Sequence, residues 1–116
     1  MPENMNVNID KKSCTELVKK LVLDSYGVVG LATPNGVSIL STIFSGIFNK
    51  KGVNLSMTED GLLVDVYIVV EYGNNFKIIS KNICDVIKYN LEHFHNLKIC
   101  SINIHIKGER MSGVNV

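Results

Sequence analysis

Arginine is almost absent from this chain of 116 residues, which contains eleven lysines and Arg110 as its single arginine. Forked, bidentate binding of phosphate or carboxylate groups depends on the planar guanidinium group, so that mode of recognition has almost no residue to use. An excess of one charge is also lacking, because the net charge is only +1. The sequence therefore gives no electrostatic reason to expect a nucleic acid or an anionic membrane as a partner.

Cysteines are few and odd in number, namely Cys14, Cys84 and Cys100, and no two of them form a Cys-x-x-Cys pair. Together with the absence of a recognisable signal peptide, this usage predicts a reducing, cytoplasmic setting. No apolar run approaches the ~20 residues that a membrane-spanning helix needs. We therefore expect membrane association only through a partner or a surface helix, and a single domain over residues 1–116.

The strongest pattern is the β-branched and aliphatic run over residues 62–73, which predicts a central strand. Residues 53–57 alternate between apolar and polar side chains, and the turn signal Glu59-Asp60-Gly61 joins them to the central strand as an antiparallel hairpin. A third, equally clear alternation over residues 99–107 predicts another strand. Weaker patterns predict short strands over residues 5–9 and 28–32.

Two main helices are predicted between these strands. The first follows a capping-box pattern at Ser13-Cys14-Thr15-Glu16 and ends near Gly27. The second is capped by Asn74 or Asn75 and buries a stripe that includes Ile83 and Phe94. It ends around His95-Asn96, where asparagine tolerates the left-handed conformation of a helix cap. A short helix is predicted over residues 39–48. The order β-α-β-(short α)-β-β-α-β predicts an α+β fold with a mixed sheet and both main helices on one face.

This layout leaves one face of the sheet uncovered. In the last strand we expect Cys100 and the alternating isoleucines to point toward the helices. The opposite face would then carry Asp65, Tyr67, Asn103 and His105, a mixed polar and aromatic surface that is a candidate interaction surface. The apolar segment from Phe44 to Phe48 is a second candidate, either as a partner-docking or interfacial membrane helix or as a core-covering helix.

Candidate chemistry is sparse. Cys84, His93, His95 and Cys100 could in principle bind one Zn²⁺, but their spacing fits no standard motif, and buried thiols with solvated histidines are favoured. Asp65, His105 and Ser101 form a catalytic triad on paper, yet a flat sheet offers no cleft, and cross-strand polar pairing is favoured. We therefore predict no catalytic residue, no metal and no cofactor. A small metal-dependent enzyme is the third-ranked alternative.

The segment Gly27-Val28-Val29-Gly30 has the Gly-x-x-Gly pattern of KH-type RNA-binding domains. It follows a predicted helix and enters a strand, whereas the KH loop joins two helices. No basic residues flank it, so a helix cap and a packing glycine are favoured. A KH-like RNA-binding module is the second-ranked functional alternative.

Several stretches together resemble the alkaline shock protein family of envelope stress-response proteins of Gram-positive bacteria. The resemblance rests on Ser-Tyr-Gly-Val-Val-Gly-Leu over residues 25–31, Lys-Gly-Val over 51–53, Asp-Gly-Leu-Leu-Val-Asp-Val-Tyr-Ile-Val-Val-Glu-Tyr-Gly over 60–73, and the ending over 97–108. It covers the chain from about Met5 to Gly108. The chain departs from the family pattern at Asn96, where a glycine is common.

The resemblance implies a non-enzymatic cytoplasmic protein with no established catalytic or cofactor residues. It also implies a role in envelope stress response or homeostasis through self-association and through binding of a membrane-anchored or other protein partner. On this basis we expect no small-molecule substrate, and contact with the membrane only indirectly.

Overall fold

The computed structural model describes residues 10–34 and 52–110. In chain order the elements are α1 (Lys11–Leu23), β1 (Val28–Leu31), β2 (Val53–Thr58), β3 (Gly61–Glu71), α2 (Phe76–Tyr89), a π-helical turn (Asn90–Phe94) and β4 (Ile99–Arg110). The predicted strand over residues 5–9 and the predicted short helix over residues 39–48 lie outside the described residues.

The central strand of the sheet is β3. Along one edge it pairs antiparallel with β1 near Val70 and with β2 from Val66 back to Gly61. Along its other edge it pairs parallel with β4, which the chain reaches through α2. The sheet is therefore mixed, as predicted, and the β2–β3 hairpin and the parallel crossover through α2 are both confirmed.

Both helices cover the same face of the sheet. Every second residue of β3 points toward them and is buried, because the side chains of a strand alternate between its two faces. This agrees with the predicted α+β fold in which the two main helices pack on one face. The core consists of Cys14, Val18, Val22, Val53, Leu55, Leu62, Val64, Val66, Ile68, Val70, Ile79, Ile83, Ile87 and Leu91.

Helix α1 begins three residues earlier than its sequence pattern suggests. Its N-cap is Asp10, whose Oδ1 accepts a 2.7 Å hydrogen bond from the backbone N–H of Ser13. The predicted capping box, with Ser13 as the cap, is therefore wrong, because the Asp10 carboxylate already satisfies the amide at the third position of the helix. This hydrogen bond lowers the pKa of Asp10 below its ordinary value of 3.8.

The end of α2 differs from the predicted amphipathic stripe. Asn75 caps the helix by accepting hydrogen bonds from the N–H groups of Lys77 and Ile78, and Asn96 adopts the predicted left-handed conformation at φ 57°. Between them the π-helical turn inserts an extra residue into the last turn. Leu91 is buried as a result, whereas Phe94, which the helical spacing placed in the buried stripe, is 59% exposed.

Strand β4 is regular only in its middle. Its register against β3 shifts between Ile99 and Ser101 and again between Ile106 and Gly108, so Cys100 and Lys107 lie at bulges. The first bulge makes the prediction for Cys100 wrong, because an extra residue reverses the alternation of side chains. Ile99 and Ile102 pack against the core, and Cys100 is exposed.

The start of β3 lies unusually close to the segment that leads into β4. Gly61 has φ +125°, and a Cβ atom added to it would lie 2.7 Å from the carbonyl oxygen of Lys98. That oxygen accepts a 2.8 Å hydrogen bond from the N–H of Leu62. Only glycine combines this φ with so short an approach between two backbones, so Gly61 fixes where the parallel pair begins.

Candidate functional site

Four polar and aromatic residues lie together on the face of the sheet that the two helices leave uncovered. Asp65 lies opposite Asn103, and Tyr67 lies opposite His105, in the parallel register of β3 with β4. These four residues are hereafter called the outer sheet face. The sequence alternation predicted that they would share a face, and the structure brings all four into one contiguous group.

Asp65 is the polar centre of the outer sheet face. Its Oδ1 accepts a hydrogen bond from Nδ2 of Asn103 at 3.2 Å and lies 3.0 Å from Nε2 of His105. The Asp65 side chain is 19% exposed and that of His105 is 40% exposed. One carboxylate therefore holds two side chains of the neighbouring strand in fixed positions, and the pair with His105 becomes an ion pair when the imidazole is protonated.

An aromatic stack lies beside this polar centre. The rings of Tyr67 and His105 are parallel to within 11°, and their centroids are 4.5 Å apart. Desolvation by burial, and secondarily the negative charge of Asp65, raise the pKa of Tyr67 above its ordinary value of 10.0. The phenol therefore stays neutral at physiological pH and keeps its proton available as a hydrogen-bond donor.

Apolar side chains flank this group on the same face. Leu63 and Val69 belong to the same alternating set of β3 as Asp65 and Tyr67, and Val69 is buried although it lies outside the core cluster. On the other side, Asn54 of β2 lies opposite Asp65. None of these neighbours is among the predicted surface residues, although the alternation of β3, continued by one step in each direction, reaches Leu63 and Val69.

The hypothetical catalytic triad of Ser101, His105 and Asp65 does not form, because Ser101 does not contact His105. His105 does contact Asp65, but Ser101 and His105 are four residues apart along one strand, a span of about 13 Å. Ser101 lies opposite Leu63 at the other end of the group. A hydroxyl at that distance cannot give its proton to the imidazole, so this part of the molecule lacks the nucleophile–base contact that such chemistry needs.

The residues of the hypothetical zinc site have separate surroundings. Cys84 is half-buried on α2, with its Sγ 3.9 Å from the carbonyl oxygen of Ile102, and burial together with the charge of Asp85 raises its pKa. Cys100 is exposed on β4. Within residues 10–34 and 52–110, no group of three or more His, Cys, Asp or Glu side chains lies close enough to hold a metal ion.

An exposed aromatic cluster lies at the end of α2, where the sequence analysis predicted a buried residue. Tyr89 stacks on His93 with centroids 4.8 Å apart, and Phe94 meets both rings edge-on. The π-helical turn produces this cluster by rotating Phe94 away from the core. Phe44 and Phe48, the other predicted interaction residues, lie outside the described residues.

The Gly-x-x-Gly segment is part of the route from α1 into the sheet. Gly27 lies in the turn that follows α1, and Gly30 lies within β1. The four residues therefore join a helix to a strand, as predicted, and do not form the loop between two helices that clamps RNA in KH domains.

Comparison with known protein families gives a match over almost the whole chain. Residues 2–111 match the alkaline shock protein 23 family, which is described as having a cell envelope-related function. The chain belongs to this family. The resemblance found in the sequence is thereby confirmed, and so is a coarse function connected with the cell envelope.

Relatives of this family member occur in Gram-positive bacteria. The uncharacterized protein Spy1614 of Streptococcus pyogenes is 34% identical over 94 residues, which cover 78% of this chain and 75% of that protein. The uncharacterized protein YloU of Bacillus subtilis is 29% identical over 91 residues, which cover 78% of this chain and 76% of that protein. Neither the names of these relatives nor the family description indicates an enzyme.

Among solved structures, the chain is similar to the copper form of MamM CTD. The TM-score is 0.51 at 12% identity, over 91% of this chain and 92% of that one. At this identity the similarity concerns the fold alone. Separately, none of the helices within the described residues is both long enough and apolar enough to cross a membrane.

Proposed function

We propose that this family member is a non-enzymatic cytoplasmic protein of envelope stress response and homeostasis. It acts by self-association and by binding a membrane-anchored or other protein partner, and it reaches the membrane only through that partner. The family's cell envelope-related function supports this proposal. The outer sheet face is the surface that we assign to protein binding.

The observation that carries the proposal is the arrangement of the outer sheet face. A tyrosine and a histidine are stacked on the sheet, and a carboxylate in contact with the histidine holds the histidine and an asparagine in place. Aromatic side chains are enriched at protein interfaces. Because these side chains are already ordered by contacts within the monomer, binding a partner costs little additional side-chain entropy.

The location of these side chains on the surface of a sheet favours a protein as its ligand. Small-molecule sites are concave and bury most of their ligand, whereas protein interfaces are broad. The outer sheet face spans the middle of two adjacent strands and continues onto Leu63 and onto Asn54 of β2. Its mixed polar and apolar composition is typical of an interface whose two sides are also stable when separate.

Substitution Tyr67→Glu tests the proposal. The added carboxylate lies next to Asp65 and replaces the ring that stacks on His105, so we expect it to disrupt assembly without unfolding the monomer. Sedimentation velocity of the full-length protein over a range of concentrations measures the assembly. Far-UV circular dichroism measures whether the fold is intact.

Tyr72→Glu is the matched control. Tyr72 follows β3 directly and is 64% exposed, but it lies outside the outer sheet face. It receives the same change of side chain and should leave the oligomers unchanged. Unchanged oligomers in the Tyr67→Glu variant, with an intact circular dichroism spectrum, would remove the outer sheet face as the assembly surface.

A further inference from the structure

Strand β4 has an edge that is open in the described part of the chain. It runs for twelve residues, and within residues 10–34 and 52–110 it pairs only with β3. An edge of this kind presents a row of backbone N–H and C=O groups that can pair with another strand. Which groups face outward follows from the hydrogen bonds of β3.

The backbone of Tyr67 shows how β3 divides its hydrogen bonds between its two edges. The N–H of Tyr67 donates to the carbonyl oxygen of Gly52 at 2.7 Å, and its own carbonyl oxygen accepts from the N–H of Ala32 at 2.9 Å. Both groups therefore point away from β4. Because successive residues of a strand direct their backbone groups to opposite edges, those of Val66 point toward β4.

The same alternation identifies the outward groups of β4. Val66 lies opposite Ile104, and in a parallel pair such a residue bonds to the two neighbours of its partner, here Asn103 and His105. The backbone groups of these two residues are thus used by β3. The groups that point to the open edge belong to Ile102, Ile104 and Ile106.

The side chains of these three isoleucines are incompletely covered. Their counterparts on β3, such as Ile68 opposite Ile106, are fully buried, whereas each of the three on β4 is only half-buried and packs at the margin of the core. An incompletely covered apolar row beside an open backbone edge favours association with another strand.

The middle of β4 lacks the features that usually prevent such pairing. Charged side chains and bulges commonly protect exposed edges. In β4 the bulges lie at Cys100 and Lys107, and the charged side chains are Lys107, Glu109 and Arg110. The stretch between these bulges is regular and contains no lysine, arginine, aspartate or glutamate. The protected positions therefore delimit a short, flat, uncharged segment that is available for pairing.

We propose that β4 pairs antiparallel with β4 of a second copy of this chain, with Ile104 on the two-fold axis. This inference deepens the proposed function, because it rests on self-association and adds a two-fold contact along the β4 edge to the contact that we assign to the outer sheet face. In this register Ile104 faces its own copy and Ile102 faces Ile106 of the other copy. Asn103 faces His105 of the other copy on the outer side.

A second copy fits this edge because the segment is complementary to itself. An antiparallel pair centred on Ile104 places isoleucine against isoleucine toward the helices and an amide against an imidazole on the outer side. No like charges are opposed. The two sheets become one, and the outer sheet faces of the two copies become a single continuous surface, which fits isologous two-fold assembly.

Disulfide cross-linking between two different variants tests the proposal. Asn103→Cys and His105→Cys are each prepared in the full chain with Cys100→Ser, and one of them carries a mass tag. In the proposed register these two positions form a non-hydrogen-bonded pair with Cα atoms about 4.5 Å apart. That separation lies within the range of about 4.4–6.8 Å that a disulfide needs.

We expect a cross-linked heterodimer only when the two variants are mixed under oxidised glutathione. Neither variant alone should cross-link, because position 103 does not meet itself and neither does position 105. The Cys100→Ser parent, which retains the buried Cys14 and half-buried Cys84, controls for other thiols. Reduction should return every sample to the monomer on a denaturing gel.

The contrary outcomes are distinguishable. Cross-linking of either variant with itself would show another register and overturn the proposed one. Absence of cross-links while sedimentation still shows oligomers would overturn β4 pairing and leave the proposed function standing. Absence of cross-links together with a strictly monomeric wild-type chain at high concentration would overturn both.

Discussion

Strands β3 and β4 are direct neighbours with similar alternating patterns, but their surroundings differ. The helix-facing residues of β3 are buried, whereas those of β4 lie at the margin of the core and remain half-buried. β3 is paired along both edges, and β4 is paired along one edge in the described residues. Position in the sheet, more than residue type, decides how much free energy each isoleucine contributes to folding.

Replacing a matched pair of isoleucines provides the strongest test of this difference. Ile68 and Ile106 lie opposite each other in the β3–β4 register. We expect Ile68→Ala to lower the free energy of unfolding by about 4 kcal/mol, because it empties a fully buried site, and Ile106→Ala by about 2 kcal/mol. Urea denaturation at low protein concentration measures both losses.

Protein concentration sharpens the same test. If two copies pair through β4, Ile106 is better covered in concentrated samples. The difference between the stability losses of the two alanine variants should therefore become smaller there. Equal losses at the lowest concentration, where the chain is monomeric, would contradict the difference in burial between β3 and β4.

Substitution of Gly61, at the junction where β3 and β4 begin to pair, should cost less stability than substitution of Ile68. Gly61→Ala places a Cβ atom against the Lys98 backbone at a φ that alanine rarely adopts, and we expect a loss of about 3 kcal/mol. Gly73, beyond the other end of β3, also has positive φ, but an added Cβ would meet nothing within 4 Å. Gly73→Ala should therefore cost about 1 kcal/mol.

Thermal denaturation of the two alanine variants compares the strain at the two ends of β3. Similar losses for both would mean that φ alone sets the cost and that the close approach to β4 is relieved by a small backbone shift. The larger loss at Gly61 would show that the β3–β4 junction is rigid.

Acid titration should give the smallest change in stability. It tests whether helix α1 is more sensitive to acid than the sheet that it covers. The pKa of Asp10 is lowered in the folded protein by the Ser13 N–H, so its contribution is present above the unfolded value and is lost as pH falls through the folded value. Asp10→Asn retains the cap without titrating. The wild type should therefore lose α1 stability below about pH 4, and the Asn variant should lose less.

Helix content followed by circular dichroism between pH 5 and pH 2 measures this difference. Asp65→Asn, which leaves Asp10 unchanged, is the control on the sheet side. If Asp10→Asn and wild type showed identical acid curves, the cap would not contribute to the acid sensitivity of the protein.

Most of the described fold could be predicted because its elements are specified by local patterns. The runs of β3 and β4, the turn at Gly61 and the left-handed conformation of Asn96 are properties of a few neighbouring residues. The grouping of Asp65 with His105 on one face followed from alternation alone. The alternation could not predict the 3.0 Å distance between Oδ1 of Asp65 and Nε2 of His105, because that distance depends on the register between the strands.

The wrong predictions share a physical cause. Unbroken periodicity predicts that Cys100 and Phe94 face the core, but in both places one extra residue reverses or rotates the direction of the side chains. A bulge or a π-helical turn forms where packing against the rest of the molecule favours it, so no short window of sequence contains the signal. The cap at Asp10 was missed because the serine that follows it matches a better-known pattern.

The pairings of β3 with β2 and with β4 also imply an order of folding. Its antiparallel partner β2 is joined to it by a tight turn at Asp60, whereas Leu62 meets Ile99 only after the whole of α2 has been crossed. Closing the longer loop costs more chain entropy and is slower. The hairpin should therefore form first and serve as the template on which the crossover helix and β4 dock, so that β4 acquires its native neighbours later than β2 does.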